Sequence, residues 1–246
     1  MISALIIGRA GSKGFPNKNH SLVLGRPLCA YPLMAANHSS LVDRVFVATD
    51  SAEITQIALS FSAEIISLPE YVANEESYSA FRYGFEAIIT RRGMQEQLVL
   101  LFCNGATIRL GIIDEGIAIL RNSSILDSAV TVSCYNMWSP LRAHRLTDEN
   151  LLEPCFPYDS FAGASCDRDS QGDIWFPDCS AFIVRPRCFL GVGAPPFPWI
   201  GNKIAPLKQW GGLDVDFEWQ VPQVEFWLRA HGFTEDKTPY DDPDPR

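Results

Sequence analysis

The sequence has no long apolar run. Its opening stretch, Met1-Ile2-Ser3-Ala4-Leu5-Ile6-Ile7-Gly8, is too short for a signal-peptide core or a membrane span and has no basic lead, and no later segment reaches membrane length. Paired cysteines are missing too. The seven cysteines (29, 103, 134, 155, 166, 179 and 188) form no C-x-x-C and are odd in number, which favours reduced thiols in a cytoplasmic protein over a disulfide framework. His20, His38, His144 and His231 are scattered, with no H-E-x-x-H, so a zinc site has little support. Positive charge is scarce: 20 Lys and Arg against 29 Asp and Glu leave a net charge of −9, which argues against a nucleic-acid-binding surface. There is no evident Ser-His-Asp or Cys-His set, no internal repeat and no low-complexity linker.

What remains is an ordinary globular composition. At 246 residues and 47% apolar, the chain fits one α/β domain or such a domain with an insert. Apolar runs predict strands at 3–8, 42–50, 64–68, 98–103 and 128–135, and helical spacing predicts helices at 27–40, 52–61, 77–92 and 112–121. Strands alternating with helices imply a three-layer fold around a mostly parallel sheet covered on both faces. Residues 136–178 break the alternation. They hold Pro140, Pro154, Pro157 and the polar run from Cys166 to Asp173, and read as a hairpin-and-loop insert. A strand at 181–184 and a closing helix at 221–231 return to the α/β domain, which then comprises 1–135 and 179–233. Residues 234–246, rich in Asp and Pro, are expected to be a loose, flexible tail.

The sharpest local signal is Gly8-Arg9-Ala10-Gly11-Ser12-Lys13-Gly14, followed by Pro16 and Lys18-Asn19. Glycines at this spacing let a backbone turn tightly and aim N–H groups at an anion, and Arg9, Lys13 and Lys18 add charge at the same place. A triphosphate is the guest that needs both kinds of partner. Walker A is excluded because Lys13 is followed by glycine. The dinucleotide fingerprint is excluded because the glycines fall three apart and Pro16 resists an immediate helix. A solvated turn with incidental basic residues is the other reading.

A second signal is Leu213-Asp214-Val215-Asp216. In an extended segment Asp214 and Asp216 point to one side and Val215 to the other. Two carboxylates on one side suit Mg²⁺, which takes oxygen ligands and keeps several waters. A solvated acidic loop is the alternative, though Trp210, Leu213, Phe217 and Trp219 make the surroundings apolar.

With these motifs the sequence resembles the acylneuraminate cytidylyltransferase family. The matching residues are Arg9, Gly11-Ser12-Lys13-Gly14, Lys18-Asn19, Arg26-Pro27-Leu28, Ala48-Thr49-Asp50 and the late Asp-x-Asp. The resemblance implies a nucleotide-diphospho-sugar transferase type of α/β domain with a small inserted dimerisation element, hence a homodimer. It also implies CMP transfer from CTP to the hydroxyl of an acidic sugar, with release of pyrophosphate. By position, Arg9, Ser12 and Lys18 would contact the triphosphate, Asn19 and Ser77 the nucleoside, and Asp214 and Asp216 would hold Mg²⁺. Ser77 reads equally well as a helix cap.

The acceptor side departs from the family pattern. Where the family commonly shows Q-P-T-S-P-L-R, this chain has Cys103-Asn104-Gly105-Ala106-Thr107-Ile108-Arg109. Asn104, Thr107 and Arg109 are candidate acceptor contacts, with loop and helix-start structure as the other reading for the first two. Arg142 and Arg168, in the insert, fall where the family has basic residues that reach the sugar or phosphate, sometimes across the dimer; a structural salt bridge would explain either as well. A guanylyl- or uridylyltransferase acting on a sugar 1-phosphate, and a non-catalytic nucleotide-binding relative, remain alternatives.

Overall fold

The computed structural model describes residues 1–11, 14–135, 138–160, 163, 165–191, 193 and 196–241. Its strands, in chain order, are β1 (Ile2–Ile7), β2 (Leu22–Val23), β3 (Arg26–Pro27), β4 (Arg44–Thr49), β5 (Glu64–Ser67), β6 (Gln97–Phe102), β7 (Ser128–Cys134), β8 (His144–Leu146), β9 (Leu152–Pro154), β10 (Trp175–Val184) and β11 (Ile204–Gln209). The helices are α1 (Ala30–His38), α2 (Ala52–Ser60), α3 (Glu70–Ala73), α4 (Ser77–Arg92), α5 (Ile112–Asn122) and α6 (Val221–Ala230). Seven strands form one sheet in the order β11-β7-β10-β6-β1-β4-β5, while β2 pairs with β3 and β8 with β9 as separate ribbons.

Every residue of β1 is buried, as a central parallel strand requires. The two-residue period of the strand sorts its side chains between layers. Ile2, Ala4 and Ile6 pack with residues of α1, α2 and α5, among them Leu33, Ile54 and Ile117. Leu5 and Ile7 face the other way, toward Phe81, Phe85 and Ile88 of α4. Each fully buried Leu, Ile or Phe contributes roughly 1.5–3 kcal/mol. Helix α4 sits close to the sheet because Gly84 has no side chain: a Cβ there would lie 2.7 Å from the Leu5 Cδ atoms. A third cluster, including Tyr31, Val215, Val224, Trp227 and Phe233, fixes α6 beside the β2–β3 ribbon.

Several elements differ from the sequence reading, which did not foresee the short β2, β3 and α3. Helix α1 starts at Ala30, not at Pro27, because Pro27 closes the short ribbon with Leu22. Strand β10 begins at Trp175, inside the stretch read as insert, and runs antiparallel between β6 and β7. Its register shifts between Pro177 and Phe182, and Cys179 there has φ 60°. Strand β11 was not foreseen. It is an edge strand, parallel to β7, half exposed and interrupted by Pro206, so it lacks an apolar run. The described part of the expected loose tail is docked: Tyr240 packs on Phe233 and on His38. Residues 242–246 lie outside the described residues.

Asp127, just before β7, anchors the segment that follows β10. Its Oδ1 accepts from Arg187 Nε at 2.7 Å, and its Oδ2 accepts from the backbone N–H of Asn202 and of Lys203, each at 2.9 Å. Ser128 Oγ donates to Ile200 O at 2.5 Å. These bonds hold the turn that carries Trp199.

Candidate functional site

A cleft of about 660 Å³ opens where β1, β5 and β6 end. Parallel strands leave their C-terminal ends and the following loops free to shape such a crevice. Ile7, Gly8 and Arg9 enter it from β1, Leu68 from β5, and Phe102 and Asn104 from β6. The stretch from Val72 to Ala80 closes one side, and Pro196, Phe197 and Trp199 another.

The polar end gathers residues distant in sequence. Gly8, Arg9, Gly14, Lys18, Asn19, Ser77, Asn104, Asp214 and Asp216 all line the cleft. Ala10 and Gly11 line a small adjoining recess, and the Ala10 N–H donates to Asp50 Oδ1 at 2.8 Å. Ser12 and Lys13 lie outside the described residues. Arg9 Nη1 reaches Ala73 O at 3.5 Å, so the guanidinium spans from the first turn toward α3. Asn19 is buried and donates to Arg9 O at 3.2 Å, while its Oδ1 has no hydrogen-bond partner among the described residues. Ser77 is the first residue of α4. Glu76 occupies the cap position without a side-chain bond, so Ser77 is not the cap.

The Asp-x-Asp segment behaves as alternation demands. Val215 is fully buried, and both flanking carboxylates face the cleft. Asp216 Oδ1 lies 2.6 Å from Lys18 Nζ, whose side chain is only 14% exposed. Asn104 Nδ2 donates to Asp214 Oδ2 at 3.1 Å. Burial, and then the neighbouring Asp216 charge, push the Asp214 carboxyl above its ordinary range, against the opposing pull of Lys18 and Asn104. The glycine turn and the acidic loop touch: a Cβ on Gly14 would come within 2.9 Å of Asp216 O. Among the described residues no group of three or more His, Cys, Asp or Glu could hold a metal. A divalent ion between Asp214 and Asp216 would therefore complete its shell with water and phosphate oxygen, and it would relieve the repulsion that raises Asp214. The donor set fits Mg²⁺ on those terms.

Four expected acceptor contacts are not in the cleft. Thr107 is fully buried and bonded to Ser180 and to the backbone of Leu213. Its position after β6 turns it inward, beneath the acidic loop. Arg109 pairs with Glu115 and lines a separate pocket of about 440 Å³ with His38 and Asp114. Arg142 donates to Cys166 O at 2.8 Å, and Arg168 makes two 3.1 Å bonds to Asp169; both are exposed within the insert. Of the acceptor candidates, Asn104 alone reaches the cleft, and its amide is already engaged.

Other lining residues carried no motif. Tyr78, Phe102, Phe197 and Trp199 give the cleft an aromatic wall, with Trp199 5.5 Å from Phe197 and 6.2 Å from Phe102 between ring centroids. Aromatics brought together from three elements have no shared spacing to find. Asp50 was legible as the end of a strand, but its bond to the glycine turn was not.

Residues 3–79, which contain the glycine turn and run to the start of α4, match the family model described as cytidylyltransferase. The chain is 40% identical over 78 residues to the N-acylneuraminate cytidylyltransferase of Escherichia coli, covering 32% of this chain and 19% of that one. It is 42% identical over 64 residues to the CMP-N,N'-diacetyllegionaminic acid synthase of Legionella pneumophila, covering 26% and 28%. The matches thus span less than a third of either curated relative. Among solved structures, a CMP:2-keto-3-deoxy-manno-octonic acid synthetase complexed with CTP superposes with a TM-score of 0.66 at 15% identity, covering 93% of this chain and 98% of that one. The 4-diphosphocytidyl-2C-methyl-D-erythritol synthase of Anaerococcus prevotii gives 0.61 at 11% identity, covering 93% and 98%. These two show the fold over 93% of the chain. Among the described residues no helix is long and apolar enough to cross a membrane.

Proposed function

We propose that this chain is a Mg²⁺-dependent cytidylyltransferase that moves CMP from CTP onto the hydroxyl of an acidic sugar and releases pyrophosphate. The observation that carries the reading is the convergence of Arg9, Lys18, Asp214 and Asp216 in one cleft, from opposite ends of the sequence. The likeness to cytidylyltransferases in residues 3–79, which supply the first two, supports the reading, and the names of the curated relatives refer to acidic sugars.

The sugar hydroxyl oxygen attacks the α-phosphorus of CTP and gives up its proton to the acceptor's own carboxylate or to solvent. The bond from that phosphorus to the α,β-bridging oxygen breaks, and pyrophosphate leaves with its electron pair. Arg9 and Lys18 bind phosphate oxygens and offset the charge that builds on the leaving group. Asn19 and Ser77 orient the nucleoside. Asp214 and Asp216 hold the Mg²⁺, which when bound supplies further charge neutralisation at the phosphates. The aromatic wall limits water around the reacting groups. Catalysis in this scheme is positioning and electrostatics.

The chain would act as a cytoplasmic homodimer. The insert exposes Trp138, Leu146, Leu151, Leu152 and Phe156, a run of apolar side chains that a second copy would cover. Arg142 and Arg168, outside their own cleft, would then meet the acceptor only from the partner subunit. The deciding experiment is pyrophosphate release with each of the four NTPs against a panel of sugar acids and sugar 1-phosphates, with and without Mg²⁺. Release with CTP and a sugar acid alone supports the reading. Release with GTP or UTP and a sugar 1-phosphate replaces it. CTP binding without release would make the chain a non-catalytic nucleotide binder.

A further inference from the structure

We propose that the Thr107 hydroxyl is a positioning group that sets the spacing of the Asp214 and Asp216 carboxylates. The inference rests on the metal reading above.

Thr107 is completely buried, and its Oγ1 uses all of its bonding capacity. It accepts from the Leu213 N–H at 2.9 Å, donates to Leu213 O at 3.0 Å, and lies 2.9 Å from Ser180 Oγ. One hydroxyl therefore grips both polar groups of the residue immediately before Asp214. A second grip lies three residues earlier. Asn104 O accepts from the Val215 N–H at 3.0 Å, and Asn104 Nδ2 lies 2.9 Å from Val215 O and 3.1 Å from Asp214 Oδ2. The turn 104–107 thus clamps 213–215 on both sides of the first carboxylate.

The clamp is itself braced. Gln209 Nε2 lies 2.9 Å from Thr107 O and from Asp178 Oδ2, and 3.0 Å from Ser180 Oγ. Asp178 also accepts from Ser133 Oγ at 2.7 Å, and Ser133 Oγ in turn accepts from the Gly212 N–H at 2.9 Å. Nearly all of this network is buried, so each bond lost strands a polar group away from water. Its output is the backbone path through residues 212–215. Mg²⁺ demands near-ideal octahedral geometry, so a small rotation of that path misplaces a carboxylate. Thr107 touches no substrate and acts through the loop.

The test is Mn²⁺ titration of the full chain without nucleotide, read by electron paramagnetic resonance, alongside the Mg²⁺ dependence of pyrophosphate release. Thr107→Val keeps the shape and removes the hydroxyl. It is expected to weaken Mn²⁺ binding about tenfold, the lower end for outer-shell changes around metal sites, and to raise the Mg²⁺ needed for half-maximal rate, with the KM for CTP at saturating Mg²⁺ little changed. Thr107→Ser restores the hydroxyl and should bind Mn²⁺ within about twofold of wild type. Ser180→Ala, which removes one brace, covers the case in which Thr107→Val does not fold; it should shift Mn²⁺ affinity in the same direction by a smaller factor. A folded Thr107→Val with wild-type Mn²⁺ affinity would overturn the proposal, as would a Thr107→Ser as weak as the valine variant or an unshifted Ser180→Ala. A wild-type chain that binds no Mn²⁺ would overturn the metal reading and this inference together. Metal binding that follows the expected order without CMP transfer would sink the transferase reading and leave the positioning role standing.

Discussion

Lys18 Nζ and Asp216 Oδ1 lie 2.6 Å apart, tying the first turn of the chain to a loop 198 residues later. The Asp216 side chain is 57% exposed, so the pair itself contributes little to stability, on the order of 0–1 kcal/mol. On the proposed reading each ion occupies the other's ligand position, and a triphosphate would draw Lys18 away and leave Asp216 to a divalent cation. Lys18→Met is expected to weaken CTP binding by roughly 10- to 100-fold, the range for lost charge-assisted bonds. It should also tighten Mn²⁺ binding in the absence of nucleotide. Calorimetric titration of each ligand alone and together reads both effects, and unchanged CTP affinity would remove Lys18 from the phosphate site.

Asp214 and Asp216 should be separable from the nucleotide contacts. Asp216→Asn removes half of the proposed metal pair without touching Arg9 or Ser77. It is expected to raise the Mg²⁺ requirement sharply or to abolish turnover while CTP still binds. A normal Mg²⁺ titration would exclude Asp216 as a ligand.

The arginines give a contrast. Arg109 faces a pocket away from the cleft, and its partner Glu115 is exposed. Arg109→Ala should leave the rate unchanged and alter stability by no more than about 0.5 kcal/mol. Arg168→Ala should raise the KM for the acceptor and not that for CTP if the partner subunit delivers it. Steady-state kinetics in both substrates distinguish the two residues, and a flat response would make Arg168 structural.

Asp127 predicts a pH effect on stability. Burial pushes its carboxyl up, but the backbone donors of Lys203 and Asn202 and the Arg187 guanidinium outweigh burial and hold it below the ordinary range. A depressed folded value means the contribution is present above the unfolded value of about 3.9 and is lost as pH falls through the folded one. Asp127→Ala leaves the Asn202 and Lys203 N–H groups without their acceptor and should cost about 1–3 kcal/mol at neutral pH, the half-exposed Arg187 adding little. Denaturant melts from pH 7 down to 3 should show the variant and wild type converging at the acid end. A constant gap would exclude the linkage.

Much of the frame was legible because its strands are short apolar runs and its helices have the right period. Asp214 and Asp216 were legible because alternation in an extended segment depends on nothing else. Strand β11 was not, since Ile204 to Gln209 is half exposed and takes its direction from β7. Thr107 and Arg109 were misplaced for a different reason. A motif fixes where a residue falls along the chain, but the turn after β6 decides whether its side chain meets the cleft, the core or another face. Thr107 turned inward and gripped Leu213, while Arg109 followed the chain toward α5 and met Glu115. The aromatic wall had no sequence signal because Tyr78, Phe102 and Trp199 become neighbours only when α4, β6 and the segment after β10 pack together.

The missing side chain at Gly84 has a consequence for the aperture above it. Helix α4 carries Ser77 and Tyr78 into the cleft at its first turn and rests on Leu5 two turns further along. That contact seats the helix whose first turn lines the rim. One added methyl would act as a shim: Gly84→Ala should cost roughly 1–3 kcal/mol of overpacking and tip the rim outward. Such a chain would accept bulkier nucleotide analogues and hold CTP less tightly, although no atom that meets the ligand had been altered. The bore of this site is gauged from beneath, by a residue the ligand never meets.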